Sequence, residues 1–122
     1  MRAHRIGIGV MTGLAAWILW SGPAFGQRSK LERPNLDEGA RIYKQNCLNC
    51  HGPAGKGDGI VAAQLDPKPA DLTSAKTQQK EDADLLEVLK FGRPGTAMPG
   101  WMSEINEREM RDVLAYIRSI AP

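Results

Sequence analysis

Apolar residues along the chain gather into a few groups, and most of them recur with the period of a helix. From Asn35 onward, Ala40, Ile42 and Tyr43 mark one face of a helix expected to run to about Asn49. Asn35 followed by Glu38 has the spacing of a capping box, although Ser or Thr is the usual first residue. Leu85, Leu86, Val88 and Leu89 predict a second helix over 84–91, and Gly92 stands where a glycine commonly ends one. A third helix should begin near Asn106, with Glu109 three residues on, and set Met110, Val113, Leu114, Ile117 and Ile120 along one stripe. Ile60 to Leu65 suits a short helix. No stretch of useful length alternates β-branched with polar residues, so no strand is expected. The expected fold is all-α, with about three main helices, short helices and long loops.

The stretches between these helices are rich in glycine and proline. Four of the eight residues from Gly52 to Gly59 are glycine, which excludes regular structure there. Pro67-Lys68-Pro69 forces an extended segment, and Gly92 to Gly100 forms a second loop. Gly55-Lys56-Gly57 superficially resembles a phosphate loop, but it lacks the G-x-x-x-x-G-K-[ST] spacing and a preceding strand. Short helices joined by such long connections rarely bury a sufficient core by themselves. Something apolar is expected to fill the middle. Gly39, near the start of the first helix, costs about 1 kcal/mol relative to Ala. It is either tolerated there or required by the close approach of another backbone.

The first 26 residues have a different character. Met-Arg-Ala-His-Arg is a positive start, Ile6 to Trp20 carries no charge, and Ala24-Phe25-Gly26 precedes Gln27 as a small–x–small cleavage site. This is the pattern of a secretory signal peptide over residues 1–26. The apolar run of 15 residues falls short of the about 20 that a spanning helix needs. Extended to Gly26 it nearly reaches, so a retained N-terminal anchor is the alternative. In either case residues 27–122 are exported, with 27–34 a flexible polar lead and 35–122 the functional domain. The charge balance supports this division. The chain has 16 basic and 14 acidic residues, and Arg2 and Arg5 are the only basic ones through Gly26. Without them the charges balance, which argues against a nucleic-acid partner and against an acidic disordered tail.

His4 lies in the removable segment, so the domain has one histidine, His51, beside the chain's only two cysteines. These three stand together as Cys47-Leu48-Asn49-Cys50-His51, the C-x-x-C-H signature of covalent haem attachment. Cysteines three apart at a helix end share a face, so both thiols can add to the two vinyl groups on one edge of a haem. His51 follows at once and can place its ring beneath the iron. Other readings of the pair are a structural disulfide, a thioredoxin-like redox pair and a zinc site. There is no βαβ pattern for the second, and only three candidate ligands for the third. The missing core and the adjacent histidine favour haem c. For a second axial ligand, the domain offers Met98, Met102 and Met110. Met110 falls on the apolar stripe of the last helix, and Met102 can pack on Trp101. Met98 lies in Thr96-Ala97-Met98-Pro99-Gly100, where the proline holds it extended. A methionine that simply packs is its plain alternative.

With these motifs the chain resembles a mono-haem class I cytochrome c of the short bacterial type. The resemblance covers about residues 35–121. It rests on Cys47-x-x-Cys50-His51, on Gly52-x-x-Gly55-x-Gly57-x-Gly59 and on Thr96-Ala97-Met98-Pro99. It implies a fold wrapped round one haem, with the first and last helices crossing at Gly39 and Tyr43 against Tyr116. Val113 departs from the pattern, since leucine is usual there. The resemblance also implies a proline whose carbonyl holds the histidine ring, for which Pro67 and Pro69 are both candidates. It implies a haem propionate contact for Arg93.

The function implied is electron transfer by a His51/Met98-ligated haem cycling between Fe(III) and Fe(II). Two protein ligands leave no open position, and a thioether ligand raises the potential. The expected setting is the periplasm. The expected partners are redox proteins: a membrane cytochrome complex, a dehydrogenase, or a terminal oxidase or reductase. Lys56, Lys68 and Lys90 are candidates for steering an acidic partner. The alternative is a small haem subunit of a larger dehydrogenase or oxidase complex. A haem sensor or peroxidase-like enzyme would need Met98 not to bind, and no spare histidine stands by as a distal acid–base group.

Overall fold

A computed structural model describes residues 33–122, and the proposed signal segment and most of the polar lead lie outside them. The first helix, α1, spans Leu36–Asn46. Asn35 caps it, its side chain accepting from the backbone N–H of Asp37 and Glu38. The capping box is only half made. Glu38 turns instead to Arg41, and the backbone N–H of Asn35 donates to the Asp112 carboxylate at 2.8 Å. Cys47 then interrupts the helix expected to continue to Asn49. Its backbone forms a joint, and a one-turn helix, α2, comes next over Leu48–His51.

A 3-10 turn over Ala62–Gln64 stands where a short helix was expected. The sequence pattern did not single out α3, Ala75–Gln78, which is a single turn. Helix α4 covers Asp82–Phe91 and starts two residues before the apolar pattern does. Helix α5 covers Glu107–Ser119. Its Asn106/Glu109 capping box is complete, with both reciprocal hydrogen bonds made. No strand is present among the described residues.

Helices α1 and α5 cross, and the crossing is closest at Gly39. A Cβ built there would lie 2.1 Å from the Asp112 carbonyl oxygen and 2.9 Å from the Tyr116 Cβ. Glycine is needed at 39 because another backbone passes over it, which decides between the two readings of that residue. Beside it the rings of Tyr43 and Tyr116 meet with centroids 5.3 Å apart. Ile42, Tyr43, Met110, Val113, Leu114 and Ile117 are buried around this crossing, joined by Cys47, Leu89 and Ile105. Val113 is fully buried at 0% exposure despite being smaller than the usual leucine. Ile120 is only half-buried, because α5 ends at Ser119 and the stripe runs past its end.

Candidate haem site

The helix pair leaves an apolar cavity of about 520 Å³ beside it. That lies within the roughly 300–1,000 Å³ common for ligand pockets. Cys47, Cys50 and His51 line it from the α1–α2 joint, Met98 from the second loop, and Arg93 from the turn after α4. All five residues singled out in the sequence therefore reach one cavity. Leu65, Leu72, Leu85, Val88, Leu114 and Ile117 supply apolar wall. This is the space that the short helices leave unfilled.

The α1–α2 joint positions the thiols. The N–H groups of Cys50 and His51 both bond to the Cys47 carbonyl, at 3.2 and 2.9 Å. That tight turn brings Cys47 and Cys50 to the same cavity. Both thiols are free, with Cys47 buried and Cys50 half-buried. Burial, with a smaller contribution from Cys50, pushes the Cys47 thiol up to about 11. Tyr43 holds the joint from below, its hydroxyl donating to the Gly52 carbonyl at 2.6 Å. Burial raises the Tyr43 phenol well above its ordinary range, so it remains a donor.

The His51 ring is also fixed. Its Nδ1–H donates to the Ala70 carbonyl at 3.0 Å. The residue holding the ring is thus neither Pro67 nor Pro69 but the one immediately after them. The two prolines keep the segment extended and deliver the next carbonyl to the imidazole. Burial pulls the His51 pKa down, and the bond to Ala70 partly opposes it. A neutral ring with Nδ1 engaged leaves Nε2 free to serve as a ligand.

The Met98 loop is pinned to the end of α4. Gly92 has φ 74, and a Cβ there would meet the Met98 carbonyl oxygen at 2.5 Å. Around it, Arg93 N–H bonds to the Met98 carbonyl at 3.1 Å and Trp101 N–H to the Leu89 carbonyl at 2.9 Å. Thr96 Oγ1 accepts from Met98 N–H at 3.2 Å. The other two methionines take no part. Met110 is buried in the core, as the stripe implied. Met102 is 62% exposed, so it does not shelter on Trp101.

The chemistry of these walls fits haem. Two free thiols and a neutral imidazole face one apolar space, with a thioether in the same lining. Trp101 also lines the cavity, and its indole N–H is buried with no acceptor. A donor left in that state costs about 1–3 kcal/mol, and an occupant bearing carboxylate oxygens can relieve it.

Comparison with known proteins decides the matter. Residues 34–117 match the family described as "Cytochrome C oxidase, cbb3-type, subunit III". The chain belongs to this family of c-type cytochromes. It carries haem c, and Cys47, Cys50 and His51 fit the attachment motif. Its function is electron transfer by that haem. Cytochrome c55X of Paracoccus denitrificans is 33% identical over 84 residues, which make up 66% of this chain and 70% of that protein. The cbb3-type oxidase subunit CcoP of Cereibacter sphaeroides is 33% identical over 84 residues. That match takes in 68% of this chain but only 27% of the subunit, so the cytochrome spans about a quarter of that relative. Among solved structures, the Kuenenia stuttgartiensis reducing HAO-like protein complex Kustc0457/Kustc0458 aligns with TM-score 0.66 and 30% identity. The alignment covers 75% of this chain and 47% of the other. The KustC0563 c-type cytochrome aligns with TM-score 0.59 at 20% identity, over 69% of this chain and 98% of that one, and supports the all-α class I fold alone.

The carbonyl of Ala70 was the functional group that sequence reasoning missed. A backbone acceptor leaves no residue-type signature, and only the neighbouring prolines pointed to the segment. Of the lysines considered for partner steering, Lys90 is already committed, with its Nζ 2.8 Å from Glu107.

Proposed function

We propose that the protein is an exported periplasmic electron carrier whose haem is ligated by His51 and Met98. The observation that supports it is the fixing of both groups at one cavity: His51 by the Ala70 carbonyl, Met98 by the end of α4. When bound, the haem supplies a one-electron Fe(III)/Fe(II) couple. The chain's own part is to keep that couple simple. Cys47 and Cys50 hold the group covalently, so it is not lost outside the cell interior. His51 presents Nε2 in a fixed orientation, and Met98 offers a soft thioether that favours the reduced state. The apolar walls exclude water, which also raises the potential. With His51 and Met98 both bound, no position would be left for a substrate at the iron, and the protein on this reading is an electron carrier and not an enzyme. Arg93, on the cavity wall, is the residue to pair with a propionate.

The partners on this reading are other redox proteins, such as a membrane cytochrome complex, a dehydrogenase, or a terminal oxidase or reductase. A second reading is favoured by the relatives themselves. Several are oxidase subunits of which this chain spans about a quarter, and one is a nicotinate dehydrogenase subunit of which it spans 7%. On that reading the protein is the small haem subunit of a larger complex. No helix among the described residues is long and apolar enough to cross a membrane, so anchoring would fall to residues 6–26.

The test is an optical spectrum of the purified holoprotein, oxidised and then reduced, with carbon monoxide added last. A methionine–iron band and no response to carbon monoxide are expected. Met98→Ala should abolish the band and admit carbon monoxide, whereas a variant that keeps methionine ligation refutes the assignment. Purification as a monomer from periplasmic extract supports the carrier. A large subunit in the same peak supports the second reading.

A further inference from the structure

Charge is distributed unevenly around the cavity. Residues 33–122 hold twelve lysines and arginines against thirteen aspartates and glutamates, so the domain is close to neutral. Yet Lys68, Lys76, Lys80 and Arg93 all line the cavity, and Asp84 is the only carboxylate that does. The ion pairs among the described residues use Arg41, Lys90, Arg108 and Arg118 instead. Among the described residues, none of the four cations at the cavity is held in an ion pair.

Lys76 and Lys80 form a pair on one short stretch of backbone that is itself held. They are four residues apart on one helical turn, since Lys80 N–H still bonds to the Thr77 carbonyl at 3.2 Å beyond the end of α3. That spacing puts both on one face. Thr77 between them is buried, its hydroxyl donating to the Asp71 carbonyl at 2.8 Å. Arg118 of α5 ties down the stretch from Gln78 to Asp82. Its guanidinium donates to the carbonyls of Gln78 and Lys80 at 2.7 and 2.6 Å, and to the Asp82 carboxylate at 2.7 Å. These bonds fix the backbone from which the two exposed lysine side chains reach the cavity.

An apolar cavity bordered by unpaired cations suits an occupant that is apolar in the middle and anionic at one edge. Haem has that form, with two propionates on the edge opposite the vinyl groups that the cysteines take. We propose that Lys76 and Lys80 are positioning residues that hold the haem propionates, in addition to Arg93. The proposal rests on this cavity being the haem site. The two lysines thereby set the potential electrostatically as well as the seating of the ring. A cation near the iron disfavours the ferric state, so its removal lowers the potential.

The experiment compares the purified holoprotein with K76Q, K80Q, the double variant, the charge-conserving K76R/K80R, and K44Q. Lys44 is exposed on α1 and does not line the cavity. Spectroelectrochemical titration gives the midpoint potential, and resonance Raman gives the propionate bending bands. At fixed ambient potential the double variant should show a ferrous-to-ferric ratio lowered about threefold, equivalent to about 28 mV for one electron. Its propionate bands should shift. K76R/K80R and K44Q should keep both near the starting values. A double variant with unchanged potential and unchanged bands overturns the proposal, even if its reaction with an acidic partner slows, because the lysines would then be docking charges only. A wild-type protein without covalent haem bands would instead refute the reading of the site.

Discussion

Replacing Gly39 by alanine sets two effects against each other, and the structure says which prevails. In an isolated helix the change stabilises by about 1 kcal/mol. Here the new Cβ would lie 2.1 Å from the Asp112 carbonyl oxygen, where ordinary contact begins at 3.4 Å. Backbone cannot swing aside as a side chain does, so α1 and α5 must part by about 1.3 Å. Separation loosens three contacts at once. The Tyr43–Tyr116 ring pair is worth about 0.5–1.5 kcal/mol. The bond from Asn35 N–H to the Asp112 carboxylate is worth about 1.5–3 kcal/mol. The packing around fully buried Val113 suffers as an overpacked core does, by about 1–3 kcal/mol. These terms are not additive, and partial relaxation with the gain in propensity leaves a net loss of about 2–4 kcal/mol. For a domain of this size each kcal/mol moves Tm by about 4–8 °C. Thermal unfolding of the holoprotein, followed by far-ultraviolet circular dichroism, is the assay. Gly95→Ala is the comparison: φ is +75 there, but nothing lies within 4 Å, so only a left-handed backbone cost of about 1–2 kcal/mol applies. A Gly39→Ala protein as stable as the wild type, or more stable than Gly95→Ala, would refute the crossing argument.

Two further predictions concern single contacts. Tyr43→Phe removes the hydroxyl that donates to the Gly52 carbonyl and should cost about 1 kcal/mol, visible as a lowered guanidinium midpoint with the haem spectrum kept. Glu107→Gln tests a charge. The hydrogen bond from Lys90 holds the Glu107 carboxyl below its ordinary value, so its stabilisation is present above the usual carboxylate range and lost as pH falls through the lowered value. Wild type and variant should therefore differ at pH 7 in low salt and converge in strong acid. A difference that grows on acidification would contradict the sign.

Periodicity revealed α4 and α5 because each buries an apolar stripe, and the attachment motif was legible because its chemistry is tied to residue type. The Asn106 cap was legible for the same reason. The break at Cys47 was not. A one-residue joint changes no hydrophobic period, so α1 and α2 read as one helix. Helix α3 escaped because Ala75–Gln78 has no apolar face of its own and is held by bonds from Thr77, Gln78 and Arg118. The half-made capping box shows a tertiary contact prevailing over a local one, since Asp112 takes the N–H that Glu38 would have accepted. The proline reading missed by one residue because proline sets the path, and the carbonyl that the path delivers belongs to its neighbour.

The bond between His51 and Ala70 has a consequence for how this protein can change over time. Every amino acid carries a main-chain oxygen, so no substitution at position 70 deletes the acceptor, although Ala70 also lines the cavity. Mutation can reach the imidazole's orientation only by altering the course or the length of the chain from Gly59 to Leu72. Residue 70 is thus limited by the room its side chain has beside the cavity and not by this bond, while a one-residue deletion before it would turn the ring. The imidazole's angle is inherited as a contour length rather than as a letter of the sequence.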